Sequence, residues 1–78
     1  MREELTLASA PVGAPLVLVR VDGPPELVRR LAALGLRRGV GLQINQSTAG
    51  RGRIVAAAGS RVALGSDVLR RVIAEAVS

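Results

Sequence analysis

The sequence has 78 residues, which is enough for one domain, and residues 1–78 are treated as a single unit. A hydrophobic fraction of 49% predicts a folded core and argues against disorder, and the formal net charge of +5 reflects an excess of arginine over acidic residues. The absence of Cys, His, Phe, Trp and Tyr excludes disulfides and thiolate or imidazole metal sites, and it requires an aliphatic core.

The first part of the chain predicts two strands. Residues 5–7 alternate apolar and polar side chains and predict a short edge strand, and Pro11 in the next turn fits an edge because proline cannot donate to a central ladder. Leu16–Val21 is a run of aliphatic and β-branched residues, which predicts a strand that ends at the Asp-Gly-Pro-Pro sequence of residues 22–25.

The clearest predicted element is a helix at about residues 24–34. Asp22 or Gly23 is placed to cap its start, proline suits its first turn, and Glu26 favours the positive end of the helix dipole. Apolar residues at i, i+4 and i+7 predict one buried stripe, with Val28 beside it. The stripe consists of Leu27, Leu31 and Leu34.

The end of this helix has an equally clear signal. Gly35 follows the last apolar residue of the stripe and predicts a left-handed C-cap, after which Leu36 folds back on the last helical turn. Arg30 flanks the stripe and is expected to hold the helix against the rest of the domain. Gly39 then allows the chain to begin a new strand.

The second half of the chain alternates short apolar runs with turns of small residues. Gly59 and Ser60 predict the tight turn of a hairpin, and Ser66 is expected to cap a helical turn at about residues 67–71. A turn is expected at residues 47–52. Strands are predicted at residues 40–44, 53–58, 61–64 and 72–77.

The fold class that follows is mainly β. Five or six short strands with glycine-containing turns, one early helix and one late helical turn predict a small β-barrel, because closure removes exposed strand edges. No apolar run approaches the roughly 18 residues that a membrane-spanning helix requires, and Glu3 and Glu4 do not suit a signal peptide. We therefore expect a cytoplasmic protein without membrane insertion.

Residues 30–39, Arg-Leu-Ala-Ala-Leu-Gly-Leu-Arg-Arg-Gly, resemble the signature of the FeoA family of ferrous iron transport proteins. The edge strand at residues 5–7, the Pro-Val-Gly sequence at 11–13 and the hairpin at 59–64 also fit, so the resemblance covers essentially the whole chain. The residues that carry this structural signature are Arg30, Leu31, Leu34, Gly35, Leu36, Gly39, Gly59 and Leu64.

The resemblance implies an SH3-like barrel with an added helix. It further implies a cytoplasmic protein that binds and modulates the membrane transporter FeoB, at the region that carries a GTP-binding domain. A related version of this barrel resembles the C-terminal domain of iron-dependent repressors, which makes a nucleic-acid-associated or regulatory domain the alternative.

The residues themselves do not predict an enzyme. The serines lie in predicted loops or at caps without a histidine to activate them, and capping explains both Asp22 and Glu26. Only Glu3 and Glu4 cluster, which is too few ligands for a ferrous iron site, so neither a metal nor a cofactor is expected. The sequence at residues 50–52 is a hairpin turn rather than a strand-to-helix nucleotide loop.

Protein binding is the function that we expect from the surface residues. Arg37 and Arg38 follow the helix, while Arg51 and Arg53 frame a hairpin tip, and exposed arginines commonly anchor interfaces. These four residues are expected to meet an acidic face of the transporter, although each could also be an ordinary solvated side chain. The chain has the positive charge that nucleic-acid binding requires, but it lacks aromatic side chains on which bases could stack. Self-association through open strand edges is compatible with either function.

Overall fold

The computed structural model describes residues 3–77, which form six strands and two short helices. Most predicted elements are present, and the third strand is longer than expected because residues as far as Ser47 pair with the fourth strand. In chain order the elements are β1 (Glu4–Thr6), β2 (Leu16–Val21), α1 (Pro25–Ala33), β3 (Gly41–Ser47), a 3₁₀ turn (Ala49–Arg51), β4 (Arg53–Ala57), β5 (Ser60–Leu64), α2 (Ser66–Leu69) and β6 (Val72–Ala76).

All six strands belong to one antiparallel sheet with the order β1-β6-β2-β3-β4-β5. The mainly β prediction is therefore confirmed. Register shifts in β2 between Leu18 and Arg20 and in β3 between Ile44 and Gln46 mark bulges that bend the sheet. Within residues 3–77, β1 pairs only with β6, and β5 pairs only with β4. We expected hydrogen bonds to close the barrel and remove the strand edges, but no such bonds join β1 and β5.

The sheet nevertheless curls far enough to bring distant strands together. Three strands separate β1 from β4 in the sheet, so a flat sheet would place them about 19 Å apart. Nη1 of Arg53 in β4 instead donates a hydrogen bond of 3.0 Å to the carbonyl oxygen of Leu7, the residue after β1. A side-chain bond therefore joins the two sides of a barrel-like fold.

The core is aliphatic, as the composition requires. It includes buried residues from β2 to β6 and from both helices, and Leu5 of β1 packs against it. No polar side chain among the described residues is buried. Close packing of branched side chains must supply the stability that aromatic residues give to other small domains. The largest fully buried side chains are Leu7, Leu16, Leu18, Leu31, Leu36, Ile44, Val55, Leu69 and Val72.

The start of α1 differs from the prediction. The N-cap is Pro24, which has no side chain that could accept a hydrogen bond, and not Asp22 or Gly23. The backbone N–H of Asp22 donates to the carbonyl oxygen of Arg71 at 2.6 Å, and its carboxylate pairs with Arg20. Asp22 thus continues the pairing of β2 with the segment before β6 and is not free to cap the helix.

The end of α1 confirms the predicted glycine cap but corrects the stripe. Gly35 has a φ of +92°, and the N–H groups of Gly35 and Leu36 donate to the carbonyl oxygens of Ala32 and Leu31, which is a Schellman motif. Leu34 is 45% exposed, whereas Leu36 is only 1% exposed. The chain reverses at the cap, so Leu36 takes the buried position that the helical spacing predicted for Leu34.

Two turns in the second half are shifted by one residue from their predicted places. The β4–β5 turn consists of Ala58 and Gly59, with φ values of +51° and +77°, because Ser60 already pairs with Ala57. Positive φ at both central residues is the type I′ geometry of two-residue hairpins. Ser66 is the first residue of α2 rather than its cap, which is Gly65.

Candidate protein-binding surface

A groove of about 590 Å³ runs between α1 and β2. We call it the α1–β2 groove. Its floor is apolar, and three arginines stand along it. Its lining residues are Leu18, Val19, Arg20, Val21, Val28, Ala32, Leu36, Arg37 and Arg38.

The groove follows from how α1 sits on the sheet. Leu27 and Leu31 are buried, four residues apart on one face of the helix. Val28 and Ala32 have the same spacing on the adjacent face, so they form a wall of the groove instead of entering the core. Val28 is 39% exposed, which makes it an accessible apolar side chain at this surface.

The three arginines of the groove differ in their electrostatic state. Arg20 pairs with Glu4 at 2.9 Å and with Asp22 at 3.0 Å, and hydrogen bonds to these two carboxylates raise its pKa above the ordinary value. The guanidinium groups of Arg37 and Arg38 are exposed and have no hydrogen bond or ion pair with residues 3–77. The groove therefore offers two unpaired positive charges beside an apolar floor.

A second cavity, of about 310 Å³, holds the other two arginines that the sequence singled out. We call it the arginine cavity. The structure thus divides the four predicted residues between two cavities that share no lining residue, instead of bringing them together. Its lining residues are Ala8, Ser47, Arg51, Gly52, Arg53, Ser66 and Arg70.

Arg51 and Arg53 have different surroundings within this cavity. The Arg51 side chain is exposed and has no partner among residues 3–77. Arg53 is half-buried, and its Nη1 donates to the carbonyl oxygens of Leu7 at 3.0 Å and Ala10 at 2.5 Å. The geometry gives Arg53 a role in holding the fold, which its place at a hairpin tip did not predict.

The structural signature residues mostly define turns and core. Gly35, Gly39 and Gly59 have positive φ angles, and Leu31, Leu36 and Leu64 are buried. Leu34 and Arg30 are the exceptions, because both are exposed. Arg30 makes no hydrogen bond or ion pair with residues 3–77, so the expected contact that holds the helix in place is not seen.

Several residues that line these cavities were not predicted as site residues, and Val28 and Arg70 show why. Val28 was predicted only to lie beside the buried stripe. A residue next to the stripe on a helix lies where the buried face meets the exposed face, and this position could have indicated an accessible apolar side chain. Arg70 was read only as the end of a helical turn, and it reaches the arginine cavity because α2 lies beside the turn between β3 and β4. No sequence spacing relates Arg70 to Arg51, since the fold alone makes them neighbours.

The described residues contain no group of three His, Cys, Asp or Glu side chains that could hold a metal ion. Between residues 3 and 77, none of the helices is long and apolar enough to cross a membrane.

Comparison with known families identifies the chain. Residues 5–76 match the family described as the FeoA domain. The chain belongs to the FeoA family. This family is linked to ferrous iron transport, and it is a family of small accessory domains rather than of known enzymes. No curated protein matches this chain.

Solved structures share the fold of this FeoA-family chain. An iron uptake regulatory protein (FeoA) is 24% identical, with a TM-score of 0.86 over 96% of this chain and 100% of that one. The FeoA protein from Chlorobium tepidum is 21% identical, with a TM-score of 0.87 over 95% and 71%. A manganese-dependent transcriptional repressor is also 21% identical, with a TM-score of 0.85 over 99% of this chain but only 44% of the repressor.

These likenesses confirm the predicted SH3-like fold, which FeoA proteins share with part of metal-dependent repressors. At identities below 25% they concern the fold alone. The function of any one of these proteins is therefore not transferred to this chain by its structure.

Proposed function

We propose that this chain is a cytoplasmic accessory protein of ferrous iron uptake, which binds the cytoplasmic GTP-binding region of the transporter FeoB and modulates it. In this proposal the chain itself catalyses no reaction. Membership of the FeoA family supports the link to iron transport. The chemistry of the exposed residues supports binding to a protein.

The observation that carries the proposal is the pairing of accessible apolar surface with unpaired charge in the α1–β2 groove. Val28 is a solvent-accessible apolar side chain, and Arg37 and Arg38 are free of intramolecular partners among residues 3–77. Arginine beside apolar surface is typical of the residues that dominate binding energy in interfaces. We therefore place Arg37 and Arg38 at the centre of the interface, against an acidic segment of the transporter.

The remaining two arginines that were expected to contact the partner are placed outside this centre. Arg51 is free but belongs to the arginine cavity, and Arg53 donates to two backbone carbonyl oxygens. Arg51 and Arg53 are still proposed to contact the partner. The single substitution Arg51→Ala tests Arg51, whose side chain is the more accessible of the two.

Modulation requires that the chain prefer one state of its partner. A bound protein shifts an equilibrium between two states only by the difference between its affinities for them. We expect the affinity for the cytoplasmic part of FeoB to differ between its GDP-bound form and its form with a non-hydrolysable GTP analogue.

The test is a binding titration against the cytoplasmic part of FeoB in both nucleotide states at physiological salt. The double variant Arg37→Ala/Arg38→Ala is expected to weaken binding about tenfold or more, because interface arginines often contribute above 1 kcal/mol. The matched control is Arg29→Ala/Arg30→Ala, which removes the same charge from exposed positions of α1 that do not line the groove.

Two results would contradict the proposal. One is the absence of binding to either nucleotide state of FeoB. The other is an equal loss of affinity in both double variants, which would mean that net charge rather than the α1–β2 groove drives the association.

A second candidate function rests on the likeness to the manganese-dependent repressor and on the net charge of +5. In this alternative the chain is a nucleic-acid-associated or regulatory domain. Its binding to duplex DNA would use arginine contacts to phosphates and would weaken steeply as the salt concentration rises. Such DNA binding without any affinity for FeoB would favour this candidate over the first.

A further inference from the structure

The arginine cavity has a chemistry unlike that of the α1–β2 groove. Its lining residues include three arginines, Arg51, Arg53 and Arg70, and two serines, Ser47 and Ser66, but no acidic residue. The volume of about 310 Å³ lies at the lower limit of small-molecule sites. A cavity of this size, with three arginines and no acidic residue in its lining, suits a compact anion better than an apolar peptide segment.

The hydrogen bonds within the chain leave donors free at this site. A guanidinium group carries five N–H donors. Nη1 of Arg53 is used by the carbonyl oxygens of Leu7 and Ala10, which fixes the side chain in place. Nη2 of Arg70 pairs with Asp67 at 2.6 Å, and the guanidinium of Arg51 has no partner among residues 3–77.

The backbone that carries Arg51 is tightly constrained. Arg51 has a φ of +70°, which is unfavourable for a residue with a Cβ atom, and the N–H of Thr48 donates to the carbonyl oxygen of Gly52 at 2.7 Å. A Cβ atom at Gly52 would lie 2.7 Å from Oγ1 of Thr48 and 3.3 Å from the carbonyl oxygen of Leu64, so any other residue would force the Thr48 side chain to shift. The closed turn therefore holds Arg51 at the cavity in a backbone conformation that an ordinary loop would avoid.

We propose that the arginine cavity is a binding site for a phosphate-type oxyanion. Arg51 and Arg70 contact the anion, since the planar guanidinium fork matches the spacing of phosphate oxygens. Ser47 and Ser66 supply hydroxyl donors at the same cavity, and Arg53, which is held by the carbonyl oxygens of Leu7 and Ala10, adds positive charge. The site uses side chains rather than a glycine-rich nucleotide loop, and it shares no lining residue with the α1–β2 groove, where the centre of the FeoB interface is proposed.

The experiment is an NMR titration of backbone amides with inorganic phosphate, at an ionic strength held constant with chloride. We expect saturable shifts confined to residues 47–53 and 66–70. Arg51→Gln and Arg70→Gln should each weaken phosphate affinity about tenfold, the usual effect of losing one charge-assisted hydrogen bond. Arg29→Gln is the matched control, because it removes one exposed charge from α1 and should leave the affinity unchanged.

Parallel titrations with pyrophosphate and GTP identify the source of the phosphate group. If Arg51→Gln weakens the affinities for phosphate and pyrophosphate equally, and GTP binds no more tightly than they do, the site is one for free phosphates. A higher affinity for GTP that is also lost in Arg51→Gln would support the same site with a nucleotide as its ligand.

The proposal is overturned if the phosphate shifts do not approach saturation by about 10 mM. It is also overturned if Arg29→Gln weakens binding as much as Arg51→Gln, since the anion would then respond to net charge. Shifts centred on Arg37 and Arg38 would place the anion in the α1–β2 groove and likewise contradict it. None of these results depends on whether the chain binds FeoB.

Discussion

Arg53 combines two roles that its position in the sequence did not suggest. It lies in β4 and lines the arginine cavity, while its Nη1 donates to carbonyl oxygens that are 46 and 43 residues earlier in the chain. Leu7 and Ala10, which supply these oxygens, are 0% and 1% exposed. Backbone carbonyl groups in such surroundings need a partner, and the guanidinium is the one that the fold provides.

We predict that Arg53→Gln lowers the free energy of unfolding by about 1–3 kcal/mol, because it leaves the carbonyl oxygens of Leu7 and Ala10 without this donor. Chemical denaturation followed by far-UV circular dichroism measures the change. Arg51→Gln is the control and should stay within about 0.5 kcal/mol of the parent chain, since its side chain has no partner among residues 3–77. Equal stability of the two variants would mean that the Arg53 hydrogen bonds do not hold the fold.

Two glycines allow backbone strain to be separated from steric contact. Gly35 and Gly59 both have positive φ, but a Cβ at Gly35 would lie 3.0 Å from Cβ of Ala58, whereas one at Gly59 would meet nothing within 4 Å. Gly59→Ala should cost about 1–2 kcal/mol from backbone strain alone. Gly35→Ala should cost more, and thermal unfolding of both variants measures the difference. Equal costs would show that the β4–β5 turn moves away freely, and a smaller cost at Gly35 would contradict the prediction.

At the scale of elements, α1 uses two adjacent faces for two purposes. One face buries Leu27 and Leu31 in the core, and the next presents Val28 and Ala32 to the α1–β2 groove. The Schellman motif at Gly35 ends the helix and returns Leu36 to the core. The same cap places Arg37 and Arg38 at the end of the groove, so the element that stabilises the fold also builds the proposed interface.

This arrangement predicts unequal costs for two leucines of the predicted stripe. Leu31→Ala should destabilise the fold by about 2–5 kcal/mol, because it removes a buried side chain and leaves a cavity. Leu34→Ala should cost less than about 1 kcal/mol, because Leu34 is already 45% exposed. Denaturation midpoints of the two variants, compared at equal m-values, provide the measurement. Similar costs would indicate that Leu34 is buried in solution.

At the scale of the whole molecule, one aliphatic core connects all six strands and both helices. A chain of 78 residues has too little volume for a second core, and its stability is the small difference between burial and lost conformational entropy. Within residues 3–77 the outer edges of β1 and β5 pair with no other strand, and their backbone groups are therefore available for self-association.

We therefore predict a single cooperative unfolding transition with an enthalpy of about 55 kcal/mol, scaled from the usual value per residue. Far-UV circular dichroism and NMR methyl signals should give the same midpoint, and both are needed because the chain has no aromatic fluorescence. Two separate midpoints would contradict the single core. A midpoint that rises with protein concentration would instead reveal self-association through the strand edges.

Local patterns in the sequence determined most of the elements and the fold class. The aliphatic run Leu16–Val21, the burial of Leu27 and Leu31 and the glycine cap at position 35 each depend on neighbours a few residues away, and each was predicted correctly, whereas Leu34 of the same stripe is exposed. The resemblance to the FeoA family then predicted how these elements assemble, as an SH3-like fold. Interactions over such short distances along the chain can be read without coordinates.

Only the tertiary structure decided which side chains share a site. The insertion of β6 between β1 and β2, the curl of the sheet and the reversal at Gly35 are results of burying one core. They turned Arg53 towards the carbonyl of Leu7, exposed Leu34 and divided the predicted arginines between two cavities. The partners of a side chain 46 residues away depend on the whole fold, so no local pattern in the sequence determines them.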